Sequence, residues 1–431
     1  MHWEQKVQHA TNTDVGMRRK NNQDALVVQT LAEQEAWEKK AHLFVVADGM
    51  GGHAVGELAS KIAVDTIPLT FLKSRAPDIA GSLIESVEHA NAAIYQKGSE
   101  NLDFKRMGTT CVVLALGPNG ASIAHVGDSR CYRVRKDRIE QVTFDHSLEW
   151  ELRRQGSLKP GDVFLPEARH VITRSLGPEE TVQVDVDGPH PVQPGDQFVL
   201  CSDGLTGHVA DAEIGMIVRE LPPEEASKLL VNLANLRGGS DNTTVIVVQV
   251  DGRPKDSSEA VLTTGTETTT WGWLAGFWFC ILLCVAGTYG IVNEYLVQGA
   301  GGATAGLLGI MLLLRRWYKS REPEIADMPD TTVHARVYSS TRARTTKAFL
   351  QGLAKLEREL KKLASEENWK VDWEEHDKQL DLARESLQTK KGTGAAMSHL
   401  GQALDILTLG LHAHRKQQRL RQMVQDDKSD G

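Results

Sequence analysis

At 431 residues the chain has room for two or three domains. Its formal net charge of −8 leaves no basic excess to neutralise phosphates, which excludes a general nucleic-acid binder. Five scattered cysteines, at 111, 131, 201, 280 and 284, have no metal-ligand spacing and read as a reduced, cytosolic chain rather than a disulfide scaffold.

The segment Met1–Lys6 has no apolar core of the signal-peptide kind, so the first domain is expected in the cytoplasm. Residues 1–252 read as one α+β unit. Strand-length apolar runs sit at Ala25–Thr30, Leu43–Ala47, Cys111–Leu116, Ala121–Val126, Cys131–Val134, Val182–Val186, Phe198–Cys201 and Thr243–Val250. Gly117-Pro118-Asn119-Gly120 is a hairpin signal between two of them. Helical periodicity covers Gly56–Leu72 and Ile79–Lys97, where Leu83, Val87, Ala90 and Ile94 share a face. Long helices within a mainly antiparallel set predict sheets covered by helices.

A Thr-rich linker spans 253–270. The stretch 271–314 then reads as two transmembrane helices, Trp271–Val292 and Leu296–Leu314, separated by a short turn. Arg315-Arg316-Trp317-Tyr318-Lys319 belongs on the cytoplasmic side, which places both large ends of the chain there. The tail 315–431 is polar and helical. Phe349, Leu353, Leu356, Leu360 and Leu363, and later Leu400, Leu404, Leu407 and Leu411, form seams suited either to a self-packed bundle or to self-association. The cations of Arg415–Arg421 read as a solvated helix end or a contact to anionic lipid.

Chemistry concentrates in the first domain. Asp48 ends the run Leu43–Ala47 and is followed by Gly49-Met50-Gly51-Gly52-His53. A carboxylate at a strand end, next to glycines that bare their carbonyls, offers the oxygen ligands hard divalent cations prefer. Asp24, Asp128, Asp203 and Asp241 repeat this strand–Asp or Asp–Gly grammar. A convergent set of acidic oxygens without His or Cys ligands points to a multi-metal site.

With these residues in view, the domain resembles the metal-dependent protein phosphatase family (PPM, the type 2C Ser/Thr phosphatases) in its bacterial form. The likeness runs in order through Thr13–Gly16 to Arg19 and Asn21–Asp24, Val46–His53, Gly108–Thr110, Val126–Arg130, Asp145–Ser147, Ile172–Gly177, Cys201–Leu205 and Ser240–Thr244. It covers roughly 5–250.

The resemblance implies an αββα sandwich of two antiparallel sheets with two Mn²⁺ or Mg²⁺ ions between them, and a weaker third. Carried over, Asp48 bridges both ions and the Gly49 carbonyl binds one. Asp203 and Asp241 hold the other, Asp24 holds its ion directly or through water, and Asp128 with Asp203 forms the third site. Arg19 clamps the substrate phosphate, a task that suits a bidentate guanidinium. Water activated by the ions attacks phosphorus in line, so Cys201 is a core residue and not a nucleophile. Gln23 stands where many eukaryotic members have Glu, Met50 stands where they have a His general acid, and Gly207 lacks a carboxylate some members use for the third ion. Residues 145–177 form the flap expected to set substrate preference, with His146 and His170 structural or solvent-exposed.

The resulting expectation is a protein Ser/Thr phosphatase tethered to the bacterial inner membrane, with catalytic domain and tail in the cytoplasm. Its substrates are phosphoproteins of a Ser/Thr kinase, and it binds no nucleic acid. The alternative is a phosphatase-like binding or scaffold module with weak or no catalysis.

Overall fold

The computed structural model describes residues 7–51, 54–101, 104, 106–157, 171–250, 338–388 and 392–429, with isolated helical positions between 280 and 311. The described strands are β1 (Val7–Asp14), β2 (Asp24–Gln29), β3 (His42–Met50), β4 (Gly108–Thr109), β5 (Cys111–Gly117), β6 (Gly120–Val126), β7 (Arg130–Arg135), β8 (Arg138–Gln141), β9 (Asp185–His190), β10 (Gln197–Cys201), β11 (Thr243–Val250) and β12 (Ser339–Arg342). The helices are α1 (Gln34–Lys39), α2 (Ala54–Lys73), α3 (Ile79–Glu100), α4 (Leu148–Arg154), α5 (Asp203–Thr206), α6 (Asp211–Glu220), α7 (Pro223–Leu236), α8 (Lys347–Glu366), α9 (Trp373–Gln388) and α10 (Gly392–Ser429).

Two antiparallel sheets result, ordered β1-β11-β10-β7-β8-β12 and β2-β3-β5-β6-β9, with β4 beside β3. Side chains alternate between the faces of a strand, and the cores follow that period. Phe44, Val46, Val112, Leu114, Phe198, Leu200, Ile246 and Val248 fill the space between the sheets. Their neighbours Leu43, Val45, Cys111 and Val113 face α2 and α3. On the other sheet Val199, Cys201, Val245 and Val247 face α6 and α7. Burial on both faces explains why these strands read as continuous apolar runs. Each such side chain contributes roughly 1.5–3 kcal/mol.

The expected two-sheet, helix-covered architecture is present. One expected strand is displaced: Val182 and Val184 pack against the helical layer, and pairing begins only at Asp185. Polar β1 was absent from the apolar runs, yet it pairs with β11 along its whole length, from Val7 opposite Val250 to Asp14 opposite Thr243.

The C-terminal region folds onto this domain, and 1–253 with 333–431 form one compact unit. β12 adds to the edge of the first sheet, with Ser339 opposite Gln141 and Arg342 opposite Arg138. Leu353, Leu360, Leu400, Leu404 and Leu407 are buried in one cluster with Leu229, Leu230 and Val247. Of the two uses open to these seams, a self-packed bundle or self-association, these leucines serve packing within the chain, as a layer over the domain's own helices.

Residues 254–332 form a second unit. The linker 253–270 and most of the apolar stretch 271–314 lie outside the described residues. Among the described residues, no helix is long and apolar enough to cross a membrane.

Candidate active site

Five strand ends and turns deliver the aspartates to one end of the sandwich. Asp24 opens β2 directly opposite Asp48, near the end of β3. Asp203 follows β10 at the start of α5, Asp128 lies in the turn between β6 and β7, and Asp241 precedes β11. Asp24, Asp203, Asp128 and Asp241 all act electrostatically on Asp48, so every sequence-predicted carboxylate converges on one centre.

The backbone there is tightly held. The Asp48 amide donates to Thr110 Oγ1 (3.0 Å), and the Asp48 carbonyl accepts from the Thr109 hydroxyl (2.8 Å) and the Thr110 amide (2.9 Å). The Gly49 amide donates to the Gln23 carbonyl at 3.1 Å. A Cβ on Gly49 would lie 2.1 Å from the Gly56 carbonyl oxygen and 2.6 Å from that of Gln23, so only glycine fits between β2 and the first turn of α2. Asn242 ties three segments, with its Nδ2 donating to the carbonyls of Val15 (2.9 Å) and Asn21 (3.0 Å) and its Oδ1 accepting from the Gln23 amide (2.8 Å).

The electrostatics are those of crowded anions. Burial, and then the charges of Asp203 and Asp241, push the Asp24 carboxyl up to about 7 against the pull of the Thr244 and Ser202 hydroxyls. Burial and Asp203 push Asp128 to about 7 as well. Asp48 is held well above the usual carboxylate range by burial and its four acidic neighbours. Ser202 donates to Asp24 Oδ2 at 2.8 Å, but Asp24 Oδ1 and Asp128 Oδ1 are buried with no hydrogen-bond partner. Buried carboxylate oxygens left open are costly unless a cation takes them. The donor set, all oxygen, fits a hard divalent ion.

Arg19 lies at the rim, half-exposed, with Nη2 2.7 Å from Asp241 Oδ2. The loop that carries it turns at Gly16, where φ is +78° and a Cβ would lie 2.2 Å from the Asp241 carbonyl oxygen. Gln23 Nε2 reaches the Gly51 carbonyl at 3.4 Å. His53 and His170 lie outside the described residues. Cys201 is buried in the strand core and burial pushes its thiol far up, so it has no thiolate to offer.

Sequence reading carried the residues that hold this centre inside its matched motifs but gave them no role. Thr110, Ser202 and Asn242 bind backbone across the fold, which no local pattern announces. His208, whose Nε2 lies 2.9 Å from Ser240 Oγ beside Asp241, was also missed. A second polar cluster lies at the foot of the flap, where ligand atoms of His125, His146 and Asp185 fall within 4.8 Å of one another. Its cation position is already filled: Arg174 Nη1 donates to Asp185 Oδ1 at 2.6 Å and lies 3.2 Å from His146 Nε2. His146 Nδ1 accepts from the Gly127 amide at 3.0 Å. That cluster anchors the flap, of which 158–170 lie outside the described residues.

Residues 17–220 match the sequence profile of the family described as "Protein phosphatase 2C". A putative protein phosphatase 2C-type from Streptococcus pyogenes serotype M6 is 36% identical over 240 residues, covering 55% of this chain and 94% of its own length. The chain belongs to the protein phosphatase 2C family. Protein phosphatase PhpP of Streptococcus pneumoniae serotype 2 is 35% identical over 244 residues, which is 56% of this chain and 96% of PhpP. The solved structure of the S. agalactiae serine/threonine phosphatase superposes with a TM-score of 0.52 at 34% identity, over 57% of this chain and all of that one (100%). This phosphatase 2C is accordingly a metal-dependent protein Ser/Thr phosphatase, and its cofactors are Mn²⁺ or Mg²⁺.

Proposed function

We propose that the chain is a membrane-tethered phosphatase that faces the bacterial cytoplasm and dephosphorylates phosphoserine and phosphothreonine in the targets of a Ser/Thr kinase. The observation that carries the catalytic half is the convergence of five aspartates with buried, unpartnered oxygens on Asp24 and Asp128. In this reading Asp48 would serve both ions, the Gly49 carbonyl one and Asp203 and Asp241 the other, while Asp24 would contribute directly or through water and Asp128 with Asp203 would hold a third. Divalent ions supply the lowered water pKa and the Lewis acidity that phosphoryl transfer needs.

The chain's own residues do the rest. The threonine pair at 109–110 fixes the Asp48 backbone, so the carboxylate is presented without a reorganisation cost. Arg19 exchanges Asp241 for a phosphate, a fork-to-oxygen fit that a guanidinium makes bidentately. Burial pushes the thiols of Cys111, Cys131 and Cys201 up, so none of these three offers a thiolate, and water is the attacking group in this reading.

Tethering is supported by the apolar stretches within 271–314 and the basic flank at Arg315–Lys319. Helical positions there carry exposed apolar side chains, with Leu282, Val285 and Val292 each at least 60% exposed. Exposure of that kind suits a lipid environment.

The test is hydrolysis of a phosphothreonine peptide by the full chain with Mn²⁺, with chelator, and as Asp48→Asn. Turnover should require the metal and fall by about 10²–10³-fold in the variant. Turnover that persists in chelator, or a variant at the parental rate, would sink the reading.

A further inference from the structure

Helix α10 runs beside α7 in parallel. Ser398 Oγ donates to Glu225 Oε2 at 2.5 Å, Gly401 packs on Leu229 at 3.5 Å from the position of its Cβ, and Asn232 Nδ2 donates to Asp405 Oδ1 at 2.9 Å. The α10 positions step by three and four residues, which keeps them on one face. α7 ends at Leu236, and the chain beyond it becomes the loop with Gly239, Asp241 and Asn242. α10 does not end there. Its next positions on the same face are Thr408, which is buried, then His412 and Arg415.

Those two reach the loop that carries Arg19. His412 Nε2 lies 4.0 Å from Asp14 Oδ2, and Arg415 Nη1 donates to the Met17 carbonyl at 3.4 Å. The loop is otherwise tied from inside the domain: Gly16 N–H to Asp14 Oδ1 (2.7 Å), Asn235 Nδ2 to the same oxygen (3.0 Å), and the amides of Met17 and Arg18 to the Gly239 carbonyl (2.8 and 3.2 Å). α10 thus grips the outer side of a loop whose inner side is stitched to the metal-centre segment.

We propose that His412 and Arg415 are positioning residues for Arg19, so that phosphate binding depends on the C-terminal helix. The inference rests on the phosphatase reading above and assigns the tail a part in it. Arg19 is half-exposed at the end of a loop, and a bidentate clamp tolerates little misplacement. PhpP is matched over 96% of its length by only 56% of this chain, so the grip from α10 is this chain's own addition.

The experiment uses the full chain with Mn²⁺. It measures kcat and KM for a phosphothreonine peptide, the inhibition constant of inorganic phosphate, and the thermal midpoint. Arg415→Ala should raise both KM and the phosphate constant about three- to tenfold, the size of one net hydrogen bond. The kcat and thermal midpoint should stay near parental. Arg415→Lys, which keeps a donor for the Met17 carbonyl, should recover most of the loss, and Lys416→Ala, one exposed position on, should change nothing. Parental KM and phosphate constant in Arg415→Ala would overturn the inference alone. So would a loss that Lys416→Ala reproduces, or one that tracks a lowered thermal midpoint and is not rescued by lysine. A parent chain without metal-dependent turnover would overturn the phosphatase reading and this inference with it.

Discussion

Asp24 and Asp48 face each other across an antiparallel pair, an arrangement that like charges normally forbid. Without metal, the centre lowers its cost by keeping protons: the carboxyls of Asp24 and Asp128 are pushed up to about 7, and burial with its acidic neighbours holds Asp48 well above the usual carboxylate range. The unfolded chain releases those protons near 4. Between about pH 4 and 7 the folded state therefore binds more protons than the unfolded one, and stability of the metal-free protein must fall as pH rises through that window. In chelator, the thermal midpoint should drop by several degrees from pH 5 to pH 8, at about 2–4 °C per kcal/mol. Mn²⁺ should restore it more at pH 8 than at pH 5, and Asp24→Asn should flatten the slope. A midpoint that rises with pH in chelator would contradict this account. The aspartates were legible in the sequence because the same strand–Asp or Asp–Gly grammar repeats five times in one domain, where a single such Asp would read as a cap or turn residue. The roles of Thr110, Ser202 and Asn242, which sit inside the matched motifs, were not, since small polar residues in turns are common and their partners lie up to 227 positions away.

Gly215 shows how an element can be docked by what it lacks. It sits in α6 where a Cβ would lie 2.6 Å from Ala343 Cβ and 2.9 Å from Ile139 Cβ, at the join between β8 and the returning β12. Gly215→Ala should gain helix propensity yet lose more to overpacking, a net cost of about 1–2 kcal/mol read by thermal or denaturant unfolding. Adding Ala343→Gly should recover much of it, and purely additive effects would refute the contact. Sequence reading found the strands buried on both faces, and the two long helices α2 and α3, because continuous apolar runs and a 3.6-residue period are local signals. It passed over β1 and β12, the two edges of the first sheet, since an edge strand such as Ser-Ser-Thr-Arg takes its stability from backbone pairing. Nor could it decide what the tail leucines pack against. A seam has the same spacing whether its partner is a second copy, its own hairpin or the back of α7.

At the scale of the molecule, catalytic domain and tail share one hydrophobic core although 88 residues separate the end of β11 from the start of β12. On the tethered reading, the full chain expressed in bacteria should sediment with membranes and resist carbonate extraction. Replacing 271–314 with a Gly/Ser linker should release it with turnover on a phosphopeptide intact, and an unaltered chain found in the soluble fraction would refute the tether. The strand pairing that closes on Ser339 also settles a matter of parity. Val250 and Ser339 both belong to sheet strands of the same folded unit, so the chain between them leaves and returns to one compartment. However many times that excursion threads a bilayer, the number of passages must be even.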